Sequence, residues 1–164
     1  MPISDPAGLA AFVGDLLRKN KLSIATAESL TSGAVASCLG AAPQASQWFA
    51  GGVIAYSEHV KFGLLEVRPG PVICASCAQE MATGVRRLLK TDLGVALTGV
   101  GGPEPVEDQA VGTVFIAVAE EGSQRVVEHR FNGAPEEVIA QAVQAALLMV
   151  RDQLVSMTSS NGGW

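Results

Sequence analysis

Apolar residues recur along this chain at two spacings, and the change from one to the other predicts its elements. Asp5-Pro6 opens a helix, with Asp as cap and Pro in the first turn. Leu9, Phe12, Val13, Leu16 and Leu17 then share one helical face, and Arg18-Lys19-Asn20-Lys21 closes it with charge suited to a helix C-terminus. Leu22-Ser23-Ile24-Ala25 reads as a buried strand and Ala34 to about Gly40 as a helix. After the break at Ala41-Ala42-Pro43, a strand is expected from Gly51 to Tyr56 and a short helix from Ser57 to Leu65, with Ser57 as its cap. Beyond Pro69-Gly70-Pro71, Cys77, Met81, Val85, Leu88 and Leu89 mark the face of a helix running from about Ala75 to Leu89. Gly94 to Thr98 lacks alternating polar residues, as in a strand covered on both faces. Val111 to Ala119 and Gln124 to Phe131 flank the turn Glu120-Glu121-Gly122-Ser123, which predicts an antiparallel hairpin. The last helix is expected from Pro135 to about Val155. The polar, glycine-rich tail Thr158 to Trp164 is expected to be disordered. This order predicts one domain over residues 1–157, a three-layer α/β/α sandwich with a mixed, mainly parallel five- or six-stranded sheet.

Composition narrows the function. The 164 residues suit one domain with a real core, and 48% of them are apolar. A net charge of −5 without any Lys/Arg cluster argues against nucleic acid and anionic membranes as partners. The N-terminus lacks the features of a signal peptide, and no apolar run reaches the roughly 18 residues of a membrane span. A cytoplasmic protein is expected. Three cysteines cannot form a paired framework. Cys74-Ala75-Ser76-Cys77 is formally a C-x-x-C motif at a helix start, which admits a redox role. Packing is the better reading, since no thioredoxin-like strand leads into it. His59 and His129 lack ligand spacing, so no metal site is expected.

The chemistry concentrates in Thr26-Ala27-Glu28-Ser29-Leu30-Thr31-Ser32-Gly33, where a strand turns into a helix. Such a turn lies at the carboxyl edge of a sheet, where ligands of open α/β sheets bind. Its helix start offers free N–H groups to an anion. Ser29 is a candidate nucleophile, although these eight residues alone favour Ser29 or Thr31 as a helix cap. Two further strand ends carry unusual residues: Tyr56, with Lys61 five positions on, and Gly99-Val100-Gly101-Gly102-Pro103. Parallel strands would bring all three ends to one edge. No histidine is placed for a Ser-His-Asp triad, so the base for a serine would be a desolvated lysine. Taken alone, Lys61 reads as a solvated surface residue on a short helix rather than as a base.

These segments resemble the CinA C-terminal domain family, which comprises competence-damage-inducible proteins and nicotinamide-nucleotide amidases. Residues 26–33 are similar to its T-A-E-S-C-T-G-G signature. Gly52-Val53-Ile54-Ala55-Tyr56-Ser57 through Lys61 is similar to its G-V-V-x-Y-S-N-x-x-K. Thr98-Gly99-Val100-Gly101-Gly102-Pro103 and Val111-Gly112-Thr113-Val114-Phe115-Ile116-Ala117 match two more family segments, and the likeness covers about residues 5 to 155. The resemblance implies hydrolysis of the carboxamide of nicotinamide mononucleotide, or a related amide, to the acid and ammonia. It implies Ser29, Lys61 and Tyr56 as catalytic residues, and no metal or cofactor. Substrate would be bound by Glu28, Leu30, Thr31, Ser32, Gly33, Gly99, Gly101 and Gly102. The expected partner is a small pyridine nucleotide, and the chain is expected to form a homo-oligomer. Where the family reads G-D-R before the last helix, this chain has Gly133-Ala134-Pro135, so an arginine that the resemblance implies as a phosphate or substrate ligand is missing. A second reading therefore stands beside the amidase: a family fold kept as a nucleotide-binding or interaction module without catalysis.

Overall fold

The computed structural model describes residues 4–160. Five strands form one sheet: β1 (Ile24–Glu28), β2 (Phe49–Ile54), β3 (Leu93–Gly99), β4 (Thr113–Glu120) and β5 (Ser123–Arg130). Their spatial order is β2-β1-β3-β4-β5. β1 pairs in parallel with β2 and β3, whereas β3–β4 and β4–β5 are antiparallel. Four strands thus run one way and β4 alone runs against them. The mixed sheet and its helices form the expected open α/β fold.

Five helices cover the sheet: α1 (Pro6–Lys19), α2 (Ala34–Gly40), α3 (Glu58–Gly63), α4 (Ala75–Leu89) and α5 (Pro135–Ser160). The alternation of side chains along each strand divides the interior in two. Val95, Leu97, Val114 and Ile116 point to one face, where Leu9, Val13 and Leu17 of α1 and Ala142, Ala146 and Leu147 of α5 pack on them. Ala25, Ala27, Ala96, Ala117 and Ala119 point to the other face, which Cys77, Ala78, Met81, Ala82 and Val85 of α4 cover. Small residues on this second face let α4 approach closely. A Cβ placed on Gly94 would lie 2.2 Å from the Ala82 carbonyl oxygen. α5 is long and apolar enough to cross a membrane by length and composition, but Val138, Val143, Val150 and Leu154 bury one side of it in the core.

Several boundaries differ from the sequence-based expectation. β1 begins and ends later than expected and runs through Thr26, Ala27 and Glu28, because those residues pair on both sides with β2 and β3. The turn is therefore shorter and starts at Ser29. α5 continues through residues 158–160 of the expected tail, with the hydroxyls of Thr158 and Ser159 bonded to the Val155 carbonyl. Residues 161–164 lie outside the described part. Ser57 occupies the cap position of α3, but its hydroxyl bonds the ring of His59 instead of the helix.

Candidate active site

Strand alternation sends the two residues at the end of β1 to opposite faces. Glu28 turns toward α2. Its carboxylate, 1% exposed, accepts the Val35 N–H at 2.8 Å and the Ala36 N–H at 2.9 Å. This is where the structure departs most from expectation. Neither Ser29 nor Thr31 caps α2: Gly33, at φ 98°, holds the cap position, and Glu28 supplies the acceptor. Glu28 is thus a structural anchor, and the α2 N–H groups read from the sequence as an anion cradle are already occupied.

Ser29 turns the other way, toward α3. Its N–H donates to the Leu97 carbonyl at 3.1 Å, fixing it to β3. Across the cleft α3 presents Lys61, which is 2% exposed. Lys61 Nζ lies 3.1 Å from Ser29 Oγ and 3.2 Å from the Tyr56 carbonyl oxygen, donating to both. The two side chains are 32 positions apart in sequence. Their contact falls within the roughly 2.6 to 3.2 Å needed for direct proton transfer. Burial pushes the Lys61 ammonium below the ordinary lysine value of 10.5, while Cys77, Glu58 and Glu107 draw it partly back. Burial thus disfavours the charged form of Lys61, which is the direction that suits a lysine to proton transfer.

Both side chains line a cavity of about 270 Å³ at the carboxyl edge of β1 and β3. Leu30, Gly99, Gly101 and Gly102 line it with them, as does Tyr56. Glu28, Thr31, Ser32 and Gly33 do not: Thr31 is buried and Ser32 faces solvent beside α2. Among the described residues, the N–H groups of Leu30 and Gly101 donate no hydrogen bond, whereas that of Ser32 is taken by the Ser29 carbonyl. Leu30, next to the serine in sequence, and Gly101 and Gly102 in the glycine loop thus offer unpaired N–H groups among the cavity-lining residues. Tyr56 touches Lys61 through its backbone, and its ring stands at the cavity mouth, 69% exposed.

Glu107 carries no sequence signal, and Thr98 belongs only to a family-like segment, without a role. Glu107 accepts the N–H groups of Val72 and Ile73 at 3.0 Å, and Thr98 donates its hydroxyl to the Val72 carbonyl at 2.6 Å. Together they clamp the segment that forms one cavity wall, across separations that no local motif reveals. The histidines sit elsewhere: His59 bonds Ser57, and His129 stacks on Phe131 at 5.1 Å with burial lowering its pKa. All three cysteines are free. Burial, with Cys74 beside it, pushes the Cys77 thiol up to about 12, so it is poorly suited to thiolate chemistry.

The sequence pattern of the CinA C-terminal domain matches residues 7–154. A CinA-like protein of Microcystis aeruginosa is 37% identical over 164 aligned positions, which cover 94% of this chain and 39% of that protein. Protein MG115 of Mycoplasma genitalium is 40% identical over 114 positions, covering 66% of this chain and 73% of its own length. A crystal structure of a competence-damaged protein (CinA) superfamily member from Klebsiella pneumoniae superposes with a TM-score of 0.89 at 32% identity. That match covers 93% of this chain and 99% of the other. The chain spans about two fifths of the Microcystis relative and a third of a CinA-like protein from Syntrophotalea carbinolica. With the family pattern matched from α1 to α5 and the fold superposing on a solved structure of the superfamily, the chain belongs to the CinA C-terminal domain family.

Proposed function

We propose that this protein is a serine–lysine amidohydrolase of the cytoplasm that cleaves a carboxamide of the nicotinamide-nucleotide type to the acid and ammonia. The observation that carries the reading is the 3.1 Å contact between a buried lysine and a serine that opens onto a cavity. In the neutral amine, the Tyr56 carbonyl still accepts one N–H, which turns the lone pair toward Ser29. Lys61 takes the Ser29 proton as Oγ attacks the amide carbon. The N–H groups of Leu30 and Gly101 receive the developing oxyanion. Lys61 returns its proton to the leaving nitrogen, and ammonia departs. Water then attacks the acyl-serine, again giving a proton to Lys61, which restores Ser29 as the acid leaves. The exposed Tyr56 ring covers the substrate at the mouth. We further propose that the chain works as a homo-oligomer.

The test is ammonia release from nicotinamide mononucleotide and related amides by the full chain, beside Ser29→Ala and Lys61→Ala. Release lost in both variants supports the mechanism. Release unchanged in Ser29→Ala rejects it, and binding without turnover by the unaltered chain favours the non-catalytic module.

A further inference from the structure

Residues 101–111 form a loop that carries four cavity-lining residues, Gly101, Gly102, Glu104 and Val106. Its base is closed where the Val100 N–H donates to the Thr113 carbonyl at 2.9 Å and the Gly112 N–H to the Val100 carbonyl at 2.8 Å. Its tip is a two-residue turn, in which Val106 and Gln109 exchange backbone hydrogen bonds around Glu107 and Asp108. Both central residues are left-handed, at φ 51° and 59°. Asn and Gly favour such a turn, so Glu107 holds its place there against local preference. A contact outside the turn offsets this, and the Glu107 carboxylate makes it. It reaches 34 and 35 positions back to accept the N–H groups of Ile73 and Val72, both at 3.0 Å. Among the described residues, Glu107 makes the only hydrogen bonds that tie residues 101–109 to another segment of the chain. Val72 and Ile73 line the cavity too, and Thr98 of β3 holds the Val72 carbonyl. One carboxylate thus joins two walls of the site.

We propose that Glu107 is a positioning residue of this centre: by latching the glycine loop to the Val72–Ile73 wall, it sets the distance between the Gly101 and Gly102 N–H groups and the Ser29–Lys61 pair. This rests on the amidase reading and adds to it a residue that touches no reacting atom. Released at its tip, the loop would carry Gly101 away from Ser29, and a misplacement of about 1 Å can cost about a hundredfold in rate. Glu107 has a second influence. Its negative charge favours the Lys61 ammonium, and Glu58 on α3 and Cys77 on α4 act in the same direction. Removing that charge should make Lys61 easier to deprotonate.

The experiment measures ammonia release from nicotinamide mononucleotide by the full chain, Glu107→Ala, Glu107→Gln and Asp108→Asn. In Glu107→Ala, kcat is expected to fall about ten- to a hundredfold. Glu107→Gln keeps one acceptor oxygen and should recover part of that loss. In both, the acid limb of kcat/KM should move to lower pH. Asp108→Asn removes a charge from the same turn, but the wall N–H groups are held by Glu107, so it should match the unaltered chain. Where Glu107→Ala does not fold, Glu107→Gln alone decides.

A second assay needs no amide substrate. A sulfonyl fluoride modifies Ser29 by forming an Oγ–S bond as fluoride leaves and Lys61 takes the hydroxyl proton. Intact mass follows the rate, with Ser29→Ala as the blank, and the Glu107 variants should slow it and shift its pH dependence in the same way. A kcat within about twofold of the unaltered chain, or an acid limb that stays in place, overturns the proposal even where Tm falls. Sulfonylation that the Glu107 variants leave unmoved overturns it as well. A chain that releases no ammonia but is sulfonylated with the expected shifts rejects the amide substrate and keeps the role of Glu107. A chain inert in both assays overturns both readings.

Discussion

Glu28 and Val35, seven positions apart, meet inside the protein through a carboxylate oxygen and a backbone N–H at 2.8 Å. With Ala36 as second donor, one side chain ties the end of β1 to the start of α2. Glu28→Ala leaves two inward N–H groups without an acceptor. It is expected to cost about 2 to 4 kcal/mol. Glu28→Gln keeps one acceptor and should cost about half as much. Thermal unfolding of the two variants beside the unaltered chain checks the order.

The state of Lys61 sets the pH dependence. Only the neutral amine accepts the Ser29 proton, so kcat/KM should rise with pH along an acid limb. Because burial lowers the Lys61 pKa, the midpoint of that limb should lie below the ordinary lysine value of 10.5. Glu58 stabilises the ammonium, so Glu58→Gln should lower the pKa further and move the limb to lower pH. A pH profile of ammonia release from both proteins decides the sign.

Close packing of α4 on the sheet yields a stability prediction. In Gly94→Ala the new methyl group would meet the Ala82 carbonyl oxygen, which is backbone and cannot swing aside. The cost is expected to be about 3 kcal/mol. For a domain of this size that is a fall in Tm of roughly 6 to 12 °C, measurable by calorimetry.

Thiol labelling distinguishes the cysteines. Cys77 is buried with its thiol pushed up to about 12, and burial also raises Cys38, with Glu28 adding to it. Cys74 is half-buried at the start of α4. Iodoacetamide near neutral pH should modify Cys74 first and Cys77 only after unfolding, as peptide mass mapping would show. Equal labelling of Cys74 and Cys77 in the folded protein would contradict this packing.

Element order was legible because hydrophobic period and turn residues are local signals. Asp5 was read correctly as the cap of α1, and its carboxylate accepts the Gly8 N–H at 2.8 Å. The same local rule failed at α2. Serine and threonine at a turn advertise a cap, but pairing of β1 on both sides carried the strand through Glu28 and gave that task to a carboxylate. The meeting of Ser29 and Lys61 could be suggested by family likeness and parallel strands, yet the depth of Lys61 depends on α3, α4 and the sheet together. Glu107 was invisible for a plainer reason, since its partners lie 34 and 35 positions away.

Opposite outlooks for neighbouring residues tie chemistry to assembly. If β1 slid by one position against β2 and β3, the acid would be thrust among the alanines beneath α4 and the serine would leave its lysine. Such a misaligned sheet would bury an unanswered charge, so it has no comfortable resting state. Competence of the centre should accordingly return in step with the sheet on refolding, with no later maturation.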